Sequence, residues 1–392
     1  MSSKKKYALH TVGAVSLSFN FLVLYVDTIS YLLPKIKQRY FPPKLMQTDS
    51  NFDSETLIMK SAVRMINYNH TVTIWNEPNG FTQELAKKIK KIKNKESHEY
   101  ILNNYPKAFL YYGLTEYAIK KKERVILDEV KIKFDSFISL QKTIKRVDQV
   151  PLGLAALNLY KAYGEKSYLD FSDKIFAFIL SQMDENGIVS YRKNQIIAFP
   201  DTLGFVVPFL LKYKDHTDVD TVLIAKEQMD YFIEFGVSSK TYIPVHGVNR
   251  DNNVQVGSMN WGRGIGWYFM AIAYFHKETG EYKEEYYGLI ETLSKLKNKQ
   301  GAWGQFPGSK DRFDASATTL FIYSMIINNP EKFNLIDTLK MFDGYISDKG
   351  TILETSGDTY TLNSYSNTFG KSELSQGILL LILSKIGSKN YE

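Results

Sequence analysis

Apolar positions in residues 54–392 recur at three- and four-residue spacing, and sustained strand-type alternation is rare. That periodicity predicts helices almost throughout. Five segments share one plan: an apolar helix rich in aromatics at its end, a short polar turn, then a second amphipathic helix. The first runs from Leu114 to Ile138 and turns at Lys120 to Glu123. The second starts at Leu154, places Tyr160 and Tyr163 before Gly164, and resumes near Tyr168. The third carries Phe209 to Tyr213 and turns around His216, and the fourth carries Ala271 to Phe275 before Gly280 and Tyr282. The fifth has Phe321 to Met325, a turn at Asn328 to Pro330, and a helix expected to reach Ile346. A last apolar helix, Gln376 to Ile386, closes the pattern.

Helix pairs recurring at roughly 45–60 residues are the signature of stacked αα units. An open solenoid and a closed toroid both fit. Closure is the expectation here: the unit number is near six, the units have diverged in sequence, and their linkers are long and carry Gly, Pro, Trp and His. The expected architecture is therefore an all-α (α/α)6 barrel over residues 54–392, with residues 1–40 appended. In such a barrel the long connections at one end form the mouth of the site, because loops on a rigid scaffold carry function.

The appended segment has a character of its own. Lys4, Lys5 and Lys6 precede a stretch from Tyr7 to Val26 without Asp, Glu, Lys or Arg. A helix of about 20 residues can just cross a bilayer, although His10, Thr11, Ser16, Ser18 and Asn20 dilute this one. No small-x-small cleavage motif follows, so an uncleaved anchor over residues 7–33 is expected rather than a cleaved signal. The alternative is an extra helix packed on a protein that is otherwise cytoplasmic. Lys35, Lys37 and Arg39 put basic residues on the far side as well, so charge fixes no orientation.

Composition narrows the classes. With 392 residues, 44% of them hydrophobic, the chain can bury a large core. It has no cysteine, which excludes disulfides and thiolate metal sites. The net charge of +7 suits an acidic partner. No helix-turn-helix, zinc-finger or RNA-binding signature accompanies it, so nucleic acid is not expected. The densest basic run, Lys87 to Lys95, alternates Lys with Ile and reads as one solvated helix face. No HxxxH or clustered carboxylates stand at ligand spacing, and no metal or cofactor is expected.

The segment from Asn260 to Trp267 holds the densest candidate chemistry. Gly262, Gly264 and Gly266 between Trp261 and Trp267 let the backbone pass close to something. Arg263 offers a planar fork suited to a carboxylate, and the tryptophans offer flat faces for a sugar. No strand precedes the segment, so it is not a dinucleotide fingerprint. A glycine-rich helix start packed on aromatics is the plainer alternative.

This segment resembles the Trp-x-Arg-Gly-(Asn/Gln)-x-Trp motif of the unsaturated glucuronyl and rhamnogalacturonyl hydrolases, glycoside hydrolase families 88 and 105. Other stretches resemble those families in the same order: Arg146 to Gly153, around Asp148; Phe199 to Leu203, around Asp201; Val245-His246-Gly247; Gly301 to Gln305; and Asp314 to Ala317. The likeness covers roughly residues 100–386. It implies a reaction in which the C4=C5 double bond of an unsaturated uronic acid is hydrated. The resulting hemiketal opens and releases the aglycone. By resemblance Asp201 is the proton donor and water activator, Asp148 assists across the ring, and His246 binds substrate or orients water. Arg263 holds the carboxylate, while Trp267 and Trp261 form walls. An acidic oligosaccharide or polysaccharide is the implied partner.

Each residue has a plainer reading: Asp201 and Asp148 as helix caps, His246 as a structural histidine, Trp303 as packing between hairpins, and Asp314 as a cap. The chain also departs from the families. Ile265 stands where Asn or Gln is usual, Asn249 where an acid often follows His-Gly, and Phe199 where Trp is common. Tyr191 and Arg192 stand near a usual His/Lys pair. These departures leave room for a non-hydrolytic, membrane-associated protein of surface-polysaccharide assembly, or for a helical-repeat scaffold.

Overall fold

The computed structural model describes residues 3–28, 42–46, 51–67, 104–140, 144–310 and 312–386, with isolated positions between 33 and 40. The basic run Lys87 to Lys95 lies outside the described residues. Thirteen α-helices occur among those described. They are α1 (Ser3–Asp27), α2 (Asn51–Ile66), α3 (Tyr105–Lys121), α4 (Arg124–Leu140), α5 (Pro151–Tyr163), α6 (Lys166–Ser181), α7 (Pro200–Tyr213), α8 (Thr221–Gly236), α9 (Gly262–Thr279), α10 (Lys283–Lys295), α11 (Ala315–Asn328), α12 (Leu335–Lys340) and α13 (Glu373–Lys385).

Two kinds of helix alternate. In α3, α5, α7, α9, α11 and α13 nearly every residue of the central turns is buried. A helix apolar on all sides must be covered on all sides. These six form an inner ring in chain order, and α13 packs on α3 to close it. The amphipathic helices α4, α6, α8 and α10 lie outside, each against the inner helix before it. The outer partner of α13 is α2, from the other end of the sequence, so the sixth hairpin joins the two ends of residues 45–386. The result is an (α/α)6 barrel.

Closure is tight where α13 meets α3. A Cβ on Gly113 would stand 2.1 Å from the Gly377 carbonyl oxygen, and one on Gly377 would stand 2.3 Å from that of Phe109. Only paired glycines allow the two backbones this close. The glycines of the 262–266 segment have the same use: Gly262 and Gly266 lie against Ala317 and Leu320 of α11.

The chain divides into two compact units: residues 45–74 with 101–392, which contain the barrel, and residues 1–44 with 75–100, which contain α1. Helix α1 is long enough to cross a bilayer, but among the described residues no helix is both long and apolar enough to do so. The expected membrane span is therefore not supported. His10, Thr11, Ser16, Ser18 and Asn20 hold its mean hydropathy too low. The fifth hairpin also differs from expectation. Its outer helix ends at Lys340 rather than Ile346, because the chain turns at Gly344, whose φ is +79°.

Among the described residues, the strands lie in the connections that lead from an outer helix to the next inner one. β1 (Ile197–Ala198), β2 (Gly247–Asn249) and β3 (Val254–Val256) form an antiparallel sheet in that order. Between α12 and α13, β4 (Thr355–Ser356) pairs with β7 (Phe369–Gly370), and β5 (Thr359–Thr361) pairs with β6 (Ser364–Tyr365). These connections end at the N-termini of the inner helices, where the site is built.

Candidate active site

Successive inner helices are parallel, so their first turns gather at one end of the barrel. Asp201 lies in the first turn of α7, behind Pro200. Arg263 lies in the first turn of α9, Tyr105 begins α3, and Asp148 sits on a 3-10 turn just before α5. That turn packs against α3, α5 and α7. Phe199, not Asp201, is the N-cap of α7, and no side chain caps it.

Arg263 is the hub. It is 2% exposed, and its guanidinium donates to the Ser356 carbonyl at 3.1 Å, to the Gly357 carbonyl, and to the Tyr105 hydroxyl at 3.5 Å. Its Nη2 stands 3.6 Å from the Asp358 carboxylate, and the Tyr105 hydroxyl donates to that same carboxylate. Burial holds Tyr105 as the phenol, well above its ordinary pKa. In this structure, then, the fork expected to hold a substrate carboxylate also anchors the segment between β4 and β5.

Asp201 lies within the field of this hub. Its Oδ2 is buried and has no hydrogen-bond partner. Burial pushes its carboxyl up to about 7; Arg263 and its own backbone amide pull it down, and Asp358 pushes it up. A carboxyl with this value is a proton donor near neutral pH. Asp148 is 4% exposed on the neighbouring turn.

His246, on the residue before β2, is buried among aromatic rings. Its centroid lies 4.7 Å from that of Trp261, 5.8 Å from Tyr365 and 5.9 Å from Phe199. Its Nδ1 is 2.8 Å from the Leu362 carbonyl oxygen. A carbonyl only accepts, so Nδ1 carries the proton and Nε2 keeps its lone pair. Burial lowers the pKa of the ring, which favours this neutral form. Trp261 Nε1 is buried with no acceptor, and the Arg263 guanidinium lies 5.4 Å from the Trp261 ring. Orphaned polar atoms are rare in a folded protein and need an explanation; at this end Asp201 Oδ2, Thr202 Oγ1 and Trp261 Nε1 are all orphaned.

The remaining expected residues divide. Phe199 faces His246, and Tyr191 lies 5.9 Å from Phe199, edge to face. Trp267 is 1% exposed and packs on Phe205 at 4.9 Å, Phe109 at 5.2 Å and Tyr105 at 5.9 Å. It lies in the core under Tyr105, and such a buried side chain contributes ~2–3 kcal/mol. Arg192 is exposed. The cation that organises its neighbourhood is Arg250, bound to Asp184 at 2.6 Å and to Ser190 at 2.9 Å. Ile265 joins the hydrophobic core, and Asn249 accepts from the amide of Asp251 in a turn. Trp303 packs on Phe321 and donates to the Leu293 carbonyl at 2.8 Å. Asp314 caps α11 and also accepts from the amide and hydroxyl of Ser356.

Tyr105, Asp358 and Tyr365 complete the cluster without having been expected. Two of them come from the long segment between α12 and α13, whose turn-rich sequence carries no helical period. Ser356-Gly357-Asp358 was the available signal, a turn with an acid after it.

No curated protein matches the sequence. Among solved structures, the chain is similar to a possible member of family 105 from Klebsiella pneumoniae, with a TM-score of 0.70 and 16% identity over 87% of this chain and 94% of that one. It is similar to an unsaturated glucuronyl hydrolase specific for heparin, with a TM-score of 0.64 and 13% identity over 85% and 95%. It is also similar to a glycosyl hydrolase of family 88 from Bacteroides vulgatus, with a TM-score of 0.59 and 13% identity over 85% and 98%. At these identities the likeness is one of fold. The sequence itself matches the family described as Glycosyl Hydrolase Family 88 over residues 79–341, about two thirds of its length. A barrel with this site and this match is a glycoside hydrolase, and the chain belongs to Glycosyl Hydrolase Family 88.

Proposed function

We propose that the protein hydrolyses oligosaccharides ending in a Δ4,5-unsaturated uronic acid, by hydrating the C4=C5 bond. The observation that carries this reading is Asp201: a buried carboxyl with an unpartnered oxygen, poised near neutral pH, beside a buried arginine. The similar heparin-specific enzyme is an unsaturated glucuronyl hydrolase, which supports the same substrate class here.

In this reading protonated Asp201 gives its proton to C4, leaving positive charge shared by C5 and the ring oxygen. Water then adds at C5, and its proton returns to Asp201. The C5 hemiketal opens to a ketone, and the freed C1 hemiacetal expels the aglycone alcohol. Asp148 acts from the other side of the ring. His246 presents its Nε2 lone pair to water or to a sugar hydroxyl, and Trp261 supplies a donor and a flat face. The first turns of α7 and α9 put positive helix ends here, which favour an anionic sugar. Phe199 and Tyr191 serve as the outer aromatic contacts. Arg263 meets the uronate only by sharing donors it now gives to Gly357 and Asp358.

The test is absorbance of the conjugated double bond during incubation with lyase-generated uronyl oligosaccharides. The expected result is loss of absorbance with the wild type and almost none with Asp201→Asn. Persistence of the band with every uronide and the wild-type protein would refute the proposal.

A further inference from the structure

One buried guanidinium at the mouth lies in the field of three carboxylates, Asp358, Asp314 and Asp201. Arg263 is ion-paired with Asp358 at 3.6 Å, while Asp201, close enough to feel the charge, has an oxygen with no hydrogen bond at all. In a medium of low dielectric a lone guanidinium would draw the nearest carboxylate into an ion pair. Something has to prevent Asp201 from being that carboxylate if it is to carry a proton.

We propose that Asp358 is a positioning residue for the reaction: it supplies the counter-charge to Arg263, so that Asp201 remains the proton carrier. The inference rests on the hydration reading above.

The geometry shows a counter-charge fixed in advance. The backbone at 356 and 357 is pinned from two sides, by Asp314, which accepts from the amide and hydroxyl of Ser356, and by Arg263, which takes both carbonyls. Thr355 bonds Ser375 of α13 at 2.7 Å, and β4 pairs with β7. Asp358 therefore follows a rigid stem, and the Tyr105 hydroxyl holds its carboxylate from the α3 side. A loop latch alone would need only the two carbonyls; the carboxylate adds charge balance.

The groups that act on Asp201 are Tyr105 on α3, Arg263 on α9, and Asp358 and Tyr365 on the segment before α13, and the turn that carries Asp148 packs on α7. Asp314, the N-cap of α11, also acts on Arg263. Among those acting directly on Asp201, Arg263 pulls its pKa down and Asp358 pushes it up. Removing the Asp358 charge leaves the pull of Arg263 less opposed.

Asp358→Asn is nearly isosteric and can keep an acceptor for Tyr105 and Arg263 while removing the charge. The experiment follows the Asp201 carboxyl by carbon NMR across pH, assigned by its loss in Asp201→Asn, in the wild type, D358N and D358E. Alongside it, kcat and KM are measured across pH on an unsaturated uronide. In D358N the Asp201 titration is expected to fall by about one pH unit. The alkaline limb of kcat moves with it, giving roughly a five-fold loss at pH 7 with KM little changed. D358E keeps the charge and should stay near the wild-type titration. An unmoved Asp201 titration in folded D358N, or a fall in D358E as large as in D358N, would overturn the proposal. A D358N chain that does not fold would also overturn it, by making Asp358 part of the framework. If the wild type turns over no uronide, the proposed function fails while the titration still decides this inference.

Discussion

The two ends of the barrel hold buried carboxyls whose pKa values are shifted in opposite directions. At the mouth, burial drives Asp201 up to about 7. At the C-terminal ends of the inner helices, burial also pushes Glu116 up, but Lys212 and Lys385 outweigh it and hold the carboxylate at about 2. The difference lies in the partners. Glu116 accepts from Lys385 at 2.7 Å and from Asn158 at 3.2 Å, and stands 3.6 Å from Lys212. Around it the Tyr112, Tyr274 and Tyr323 hydroxyls form a chain with links of 2.6 and 2.7 Å. At the floor the carboxylate is met by two lysines and an amide donor, which is what a structural network requires. The mouth leaves an acid and an indole donor unpaired, which is costly for stability and useful only if a ligand completes them.

The largest expected effect breaks the mouth. Asp201→Asn should lower kcat by 10³-fold or more, a barrier increase of ~4 kcal/mol, with the fold intact by circular dichroism. Next, Glu116→Ala breaks the floor. It leaves two half-buried lysines without their carboxylate and should cost ~3 kcal/mol in denaturant unfolding, while kcat/KM of the folded protein stays at the wild-type value.

A third expectation sets the ends against each other through pH. Asp201 has a folded pKa above its unfolded value, so it binds its proton more tightly when folded. Its contribution to stability is full below about pH 4 and is lost as pH rises through about 7. Glu116 is the reverse: its contribution is present above the unfolded value of about 4.3 and is lost as pH falls toward 2. Asp201→Asn should therefore be more stable than the wild type at pH 8, by ~1–3 kcal/mol, with the gap closing toward pH 5. Thermal melts across that range check it. The smallest effect belongs to Tyr323→Phe, which removes the last hydroxyl of the floor chain and should cost ~1 kcal/mol without altering catalysis.

How much of this was legible in the sequence follows from the range of each signal. Helical period is local, so the five hairpins and the last helix could be read from residue spacing, and so could the acids and arginine at helix starts. Position along the chain put Asp201, Arg263, His246 and Trp261 in one family order, and the structure brings all four to one end. What the sequence concealed depends on long-range contact. Nothing near Gly113 says that it meets Gly377, and nothing near Asp358 says that it meets Tyr105 and Arg263. Trp267 looked like a wall because tryptophans at a site invite that reading, yet it stands one helical turn beyond Arg263 and packs on Phe109 and Phe205 in the core. The membrane expectation is not supported because of composition: Tyr7 to Val26 lacks charge, but lack of charge is not apolarity.

The most direct test of the central claim is where solvent hydrogen goes. Turnover of an unsaturated uronyl disaccharide in deuterated water, followed by NMR, should place deuterium on C4 of the released sugar as C5 becomes a ketone and the double bond vanishes. Release of the aglycone with the double bond intact would contradict the account, because it would mean cleavage of the glycosidic bond without hydration.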